Sequence, residues 1–337
     1  MTASLPTPRT ALVIGATGGI GGEAAAALVR HGWSVRALTR RERNPNWPPT
    51  VEWVPGDAMD PAAVARAAEG VSLIVHAANP PGYRNWPKLV PAMLEATIAA
   101  AIAEGARIIL PGTIYNFGPD AFPLLAETSP QRPKTRKGAI RVAMEARLRE
   151  ASTQGAKVLI VRAGDFFGPR PGNSWLSQGM IKPGVAVRSI SEPVRNGAGH
   201  AWAYLPDVAE TMAALMDRED QLEDFDVFHF GGHWFDDGRD FGKAMARAAG
   251  DPRLPIRPFP TWLVVALSPI VPVFREMAEM RYLWKEPIRL DNRRLRALLG
   301  REPHTPLDEA LGETLEGLGC FNSPAPQALP ARRAQPA

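Results

Sequence analysis

The chain has 337 residues, 45% hydrophobic and 22% charged, a globular composition with ample length for one large domain or two. Lys and Arg number 39 against 35 Asp and Glu, a formal charge of +4 with the two signs interleaved, which argues against nucleic acid as a partner. The single cysteine, Cys320, excludes an internal disulfide and points to a reducing, cytoplasmic location.

Strand and helix alternate through the first half. Residues 10–14 read as a strand, 19–30 as an alanine-rich helix, and 34–38 and 51–54 as strands. Residues 61–69 read as a helix that Asp60 caps and Pro61 opens. A strand over 71–76, a long helix over 86–104, a strand over 107–110, a helix over 135–153 and a strand over 156–161 follow. This order predicts an α/β fold, a Rossmann-type doubly wound parallel sheet with helices on both faces.

Beyond residue 164 the rhythm loosens. Residues 185–188 and 225–230 are candidate strands for the same sheet. Helices are expected over 206–216, with Asp207 as its cap, and over 237–249, 292–299 and 307–318. The chain thus divides into a nucleotide-binding domain (9–164), a smaller substrate-covering part (165–320) and a Pro-, Ala- and Arg-rich tail (321–337) expected to be disordered.

Two stretches bear on membranes. The first nine residues lack the apolar run of a secretory signal. Residues 258–274 carry no charge, but the apolar core is shorter than the ~20 residues a spanning helix needs and is broken by Pro269 and Pro272. A buried or groove-lying helix is expected there, with a peripheral membrane contact as the alternative.

The sequence GATGGIG, residues 15–21, stands between a strand and a helix. Glycines there permit a tight turn, a close approach to a pyrophosphate and close helix–strand packing, and the helix N-terminus attracts the anion. The expected contacts on the turn are Gly15, Thr17, Gly18, Gly19, Ile20 and Gly21. The second strand ends in Thr39, Arg40 and Arg41, with no acid to hold a ribose hydroxyl. Arginines there suit a 2′-phosphate, so NADP is the expected cofactor, with NAD as the alternative.

Further landmarks are PGD with Asp57, VHAAN at 75–79, Ile114-Tyr115, VRAGDFFGP at 161–169, YLPDVAE at 204–210 and FHFGG at 228–232. Together, over residues 11–318, they resemble the extended short-chain dehydrogenase/reductase superfamily of the NAD-dependent epimerase/dehydratase type. The resemblance implies that Asp57 and Ala58 meet the adenine and that Ala77, Ala78 and Asn79 line the cofactor. Such relatives use Ser and Tyr-x-x-x-Lys; the aligned positions here are Pro111 (with Gly112 and Thr113 next), Lys137 and Arg141.

Residues 137–145, KGAIRVAME, resemble the Lys-x-x-Ile-Arg segment of isoflavone-reductase-like proteins, in which that lysine is essential. The resemblance makes Lys137 both a cofactor contact and the proton donor, with Tyr115 and Thr113 as the other hydroxyl-bearing candidates. Helical spacing predicts an Arg141–Glu145 pair. Neighbouring Lys134, Arg136 and Arg141 are expected to lower the Lys137 pKa.

His229 and His233 flank a helix-breaking Gly231-Gly232, so they are not expected to form a zinc pair, and no metal site is expected. Trp175, Trp202 and Trp234 are candidates for an apolar pocket, with core packing the alternative for each. The expected function is NADPH-dependent reduction of a small, apolar carbonyl or enone, by a protein that takes a small-molecule substrate and is open to homodimerisation. A non-catalytic NADP sensor is the alternative, and a sugar-nucleotide epimerase or dehydratase a third.

Overall fold

The computed structural model describes residues 9–40, 49–80, 85–170, 172, 174–194, 197–270 and 272–321. Arg41 and the tail 322–337 lie outside the described residues.

The first half follows the expected order: β1 (Thr10–Ile14), α1 (Gly19–Arg30), β2 (Ser34–Thr39), β3 (Val51–Pro55), α2 (Pro61–Ala68), β4 (Leu73–His76), α3 (Trp86–Glu104) and β5 (Arg107–Thr113). After the short β6 (Leu124–Leu125) come α4 (Arg136–Thr153), β7 (Lys157–Ala163) and β8 (Asp165–Phe167). Asp60 caps α2 by accepting from Ala62 N at 3.0 Å, and Thr135 caps α4 through Gly138 N at 3.0 Å.

The second half supplies β9 (Ile190–Glu192), β10 (His200–Tyr204), α5 (Leu205–Met216), β11 (Phe225–His229), β12 (His233–Phe235), α6 (Arg239–Ala248) and β13 (Ile256–Pro258). It closes with α7 (Thr261–Leu267), α8 (Pro272–Met280), β14 (Arg289–Leu290), α9 (Arg293–Leu299) and α10 (Leu307–Gly317).

The main sheet has seven strands in the order β11-β7-β5-β4-β1-β2-β3, all pairs parallel. The order reverses between β1 and β4, so a crevice opens beyond their carboxyl ends, at Gly15 and Ala77. Alternation along β1 separates the two faces. Ala11 and Val13 pack with Ala24, Leu28, Val208 and Met212 of α1 and α5. Leu12 and Ile14 pack with Val64, Leu94, Ile98 and Leu148 of α2, α3 and α4.

The remaining strands form smaller sheets, β12-β10-β8, β13-β9 and β14-β6, over a separate core that includes Phe167, Trp202, Phe241 and Leu311. Cys320 is buried there, its Sγ 3.6 Å from Lys182 O and Leu318 O. Among the described residues no helix is long and apolar enough to cross a membrane.

Three expectations are corrected. Residues 185–188 form no strand; Val187 is buried with its N–H on Cys320 O, and the strand is β9, which pairs with β13 rather than with the main sheet. The other candidate, 225–230, does join the main sheet as β11. The uncharged stretch 258–274 is not one buried helix. Pro272, which cannot donate to a preceding turn, starts a second helix; of α7 only Val264 is buried, Trp262 is 75% exposed, and Ile270 in the link beyond α7 is 79% exposed. Finally, Asp207 does not cap α5, which begins at Leu205 with Tyr204 as N-cap. Its carboxylate instead accepts from Thr305 N and Oγ1, both at 2.7 Å.

Candidate active site

The glycine turn is built by mutual crowding. Gly15 has φ +93°, and a Cβ there would lie 2.5 Å from Ala77 O; one on Gly21 would lie 2.3 Å from Gly15 O. These two glycines let α1, β1 and β4 approach one another. Gly18 differs: a Cβ there would meet only Gly15 O, at 3.3 Å. Gly18 is the N-cap of α1, no side chain caps that helix, and its first turn holds no acid. An open, uncapped helix start beside glycine is a fit for an anionic pyrophosphate, so Gly15, Thr17, Gly18, Gly19, Ile20 and Gly21 are the residues that would hold it.

At the carboxyl end of β2, Thr39 is buried, and its carbonyl accepts from Gly56 N at 3.0 Å. Arg40 is exposed, with Nη1 3.7 Å from Asp57 Oδ2; Asp57 Oδ1 accepts from Met59 N at 3.0 Å. Arg40 and Asp57 are therefore adjacent, so an acid that the sequence reading did not place at the end of β2 stands beside Arg40.

At the other end of the crevice, β4 finishes in His76, followed by Ala77, Ala78 and Asn79. His76 is buried, with Nδ1 2.8 Å from Thr97 Oγ1, whose own hydrogen goes to Met93 O at 3.1 Å. Nδ1 therefore carries the proton. Burial first, and then the Arg141 charge, push the His76 pKa down to about 4, so the ring is neutral near pH 7. Asn79 Oδ1 accepts from Trp86 Nε1 at 2.9 Å, and the Arg141 guanidinium lies over the Trp86 ring at 5.3 Å.

Lys137 is 4% exposed, in the first turn of α4. A Cβ on the next residue, Gly138, would lie 2.2 Å from Tyr115 O, so glycine there lets the start of α4 press on the loop leaving β5. Thr113, at the end of β5, accepts from Tyr115 N at 3.3 Å through its hydroxyl, which donates to Asn116 Oδ1, also at 3.3 Å. Lys137, Tyr115 and Thr113 thus share one end of the sheet.

The expected Arg141–Glu145 pair is not formed. Glu145 pairs with buried Arg162 of β7, Oε1 to Nε at 3.0 Å and Oε2 to Nη2 at 2.5 Å, and also accepts from Gln131 at 2.9 Å. An exposed i,i+4 pair is worth only ~0.3–0.5 kcal/mol, and a bidentate buried partner displaces it. His229 joins this network rather than His233: its Nε2 is 3.1 Å from Arg162 Nη1 and its Nδ1 3.0 Å from Leu125 O. Burial and Arg162 hold its pKa near 3.

Two groups escaped sequence reasoning. Arg170 sits in a loop laid over the glycine turn: a Cβ on Gly19 would be 3.6 Å from Arg170 O, and Arg170 Nε is 2.8 Å from Glu23 Oε1. The Gly-Pro-Arg at the end of β8 was the available signal. Asp165 is buried and accepts from His200 Nε2 and Trp284 Nε1, both at 2.9 Å, and Trp284 meets Trp175 edge to face at 4.1 Å. Of the other tryptophans, Trp202 is core, stacked on Phe241 at 4.2 Å, whereas Trp234 donates to Asp236 at 2.7 Å.

Sheet order, crevice and glycine turn define a Rossmann-type fold of the kind that holds a dinucleotide at the first turn. The chain belongs to the NAD dependent epimerase/dehydratase family, whose pattern matches residues 11–231. No curated protein matches the sequence significantly. Similar solved structures include a UDP-glucose 4-epimerase of Thermus thermophilus in complex with NAD, 21% identical, covering 92% of this chain and 98% of its own, TM-score 0.67. MoeE5 in complex with UDP-glucose and NAD is 17% identical, with coverage of 92% and 98% and TM-score 0.68. TunA, an NAD dependent NDP-hexosamine 5,6-dehydratase, is 19% identical, with coverage of 92% and 97% and TM-score 0.67.

Proposed function

We propose that this protein is an NADP-preferring oxidoreductase that reduces a small apolar carbonyl or enone, with Lys137 as proton donor. The observation that carries the reading is the burial of Lys137 in the first turn of α4, where the next residue, Gly138, packs on Tyr115 O, at the position that aligns with the family's tyrosine. Reduced nicotinamide, when bound, supplies the hydride. Lys137 has the reach and the proton to meet an oxyanion developing on the substrate. Thr113 and Tyr115 orient that oxygen, and Arg40 and Arg41 select the 2′-phosphate. Two aromatic pairs in the second half, Trp175 against buried Trp284 and Phe122 stacked on Tyr282 with centroids 6.4 Å apart, are compatible with an apolar substrate.

A second reading, an NAD-dependent epimerase or dehydratase of a sugar nucleotide, is favoured by what the similar structures bind. The test is to incubate the protein with NADPH and NADH against two panels, apolar carbonyls and enones in one and UDP-sugars in the other. NADPH oxidation with the first panel supports the carbonyl reading. Conversion of a UDP-sugar without net cofactor consumption replaces it. Tight NADPH binding with no turnover in either panel favours a cofactor sensor.

A further inference from the structure

His233 opens β12 directly after the Gly231-Gly232 turn. Its ring is 7% exposed, and its Nε2 is buried with no hydrogen-bond partner among the described residues. An orphaned buried polar atom costs about 1–3 kcal/mol, so a partner is the natural complement. Facing it is His304, exposed, with ring centroids 4.3 Å apart and planes tilted by 42°. Buried Asp207, in the first turn of α5, completes the set: one ligating atom from each of the three lies within 4.8 Å of the other two.

The three residues come from α5, β12 and the link before α10, so tertiary structure alone assembles them. The carboxylate is already positioned by the Thr305 backbone and hydroxyl, each at 2.7 Å. That contact fixes the residue next to His304, the arrangement in which outer hydrogen bonds orient metal ligands. A carboxylate has about four acceptor sites, so two hydrogen bonds leave room for a cation. Two imidazoles and one carboxylate form the donor set of borderline divalent ions, zinc foremost, rather than of calcium or magnesium.

We propose that Asp207, His233 and His304 bind a divalent transition-metal ion of the zinc type, with a fourth position open to solvent on the His304 side. The site ties the segment before α10 to α5. Through Leu205, whose Cδ1 would lie 3.1 Å from a Cβ on Gly19, α5 also touches the glycine turn. The proposal is independent of the reaction assigned above.

The test uses the full chain without an affinity tag, treated with chelator and titrated with Zn²⁺ by calorimetry and with Co²⁺ by visible spectroscopy. Expected are one ion per chain, Co²⁺ bands of a low-coordinate N/O site, and a rise in melting temperature with Zn²⁺. His304→Ala, an exposed position that leaves the core intact, should weaken Zn²⁺ by at least roughly the 10–100-fold seen for lesser perturbations of metal sites and abolish the melting shift. Asp207→Asn, which keeps an acceptor for Thr305, should also weaken binding. The proposal is overturned if no stoichiometric ion binds at millimolar concentration, or if His304→Ala binds as tightly as the unaltered chain.

Discussion

Glu145 and Arg162 form a bidentate ion pair beneath the middle of α4, with Arg162 2% and Glu145 6% exposed. The helix that presents Lys137 is thereby fastened to β7. Removing one partner leaves the other charge buried and unpaired, which costs about 3–5 kcal/mol. Glu145→Ala is therefore expected to lower the urea midpoint by that equivalent, and a change below 1 kcal/mol (a scale typical of exposed pairs) would show the pair to be dispensable.

Two glycines of one turn should respond differently to valine. At Gly18 an added Cβ would meet only Gly15 O, at 3.3 Å, so Gly18→Val should remain folded and lose nucleotide binding. At Gly21 the added Cβ would sit 2.3 Å from Gly15 O, so Gly21→Val should lower thermal stability itself. Circular dichroism melts with NADPH titration by fluorescence separate the two. Undiminished binding by folded Gly18→Val places the dinucleotide elsewhere.

In the proposed reading, cofactor choice rests on Arg40 and Arg41. NADPH should bind more tightly than NADH, and replacing both arginines by alanine should remove most of the difference, each charge-assisted contact being worth about 1.5–3 kcal/mol. Equal affinities for the two cofactors in the unaltered chain would refute the assignment.

For the chemistry, Lys137→Met should reduce turnover about a hundredfold or more, the scale of a lost general acid, with little effect on NADPH affinity. Tyr115→Phe should do less. Full activity in Lys137→Met eliminates the lysine mechanism.

Glu192 offers a test in pH. It is 4% exposed, and burial pushes its pKa up to about 8, against an ordinary value near 4.3 unfolded. Between those values the folded protein holds more protons than the unfolded chain, so stability falls as pH rises from about 4.3 to about 8. Glu192→Gln should flatten that slope and be more stable than the parent at pH 8. Parallel melting curves for the two proteins from about pH 4 to about pH 9 (bracketing the range) would remove Glu192 as the cause.

The nucleotide-binding half was legible because its signals are local. Asp60 and Pro61 mark the start of α2, α3 shows as a long apolar, alanine-rich run, and the glycine turn names its neighbours. The second half obeys longer-range rules. The alternation at Val185 and Val187 read as a strand, yet the chain there is tied to Cys320. Asp207 read as a helix cap, yet Pro206 already suits the helix start and Thr305, about a hundred residues on, claims the carboxylate. Arg141 and Glu145 have the spacing of a pair, but no spacing rule can foresee Arg162 arriving from a neighbouring strand.

The lone thiol of Cys320 is shut inside the packing between α10 and residues 182–187, and burial raises its pKa as well. An alkylating reagent must await an opening of that clasp and then meet a sulfur reluctant to ionise. With no second cysteine to confuse the signal, its labelling rate is a built-in clock for how often the carboxyl-terminal closure loosens. Any small molecule that tightens this half of the protein will slow that clock, whether or not its own chemistry is known.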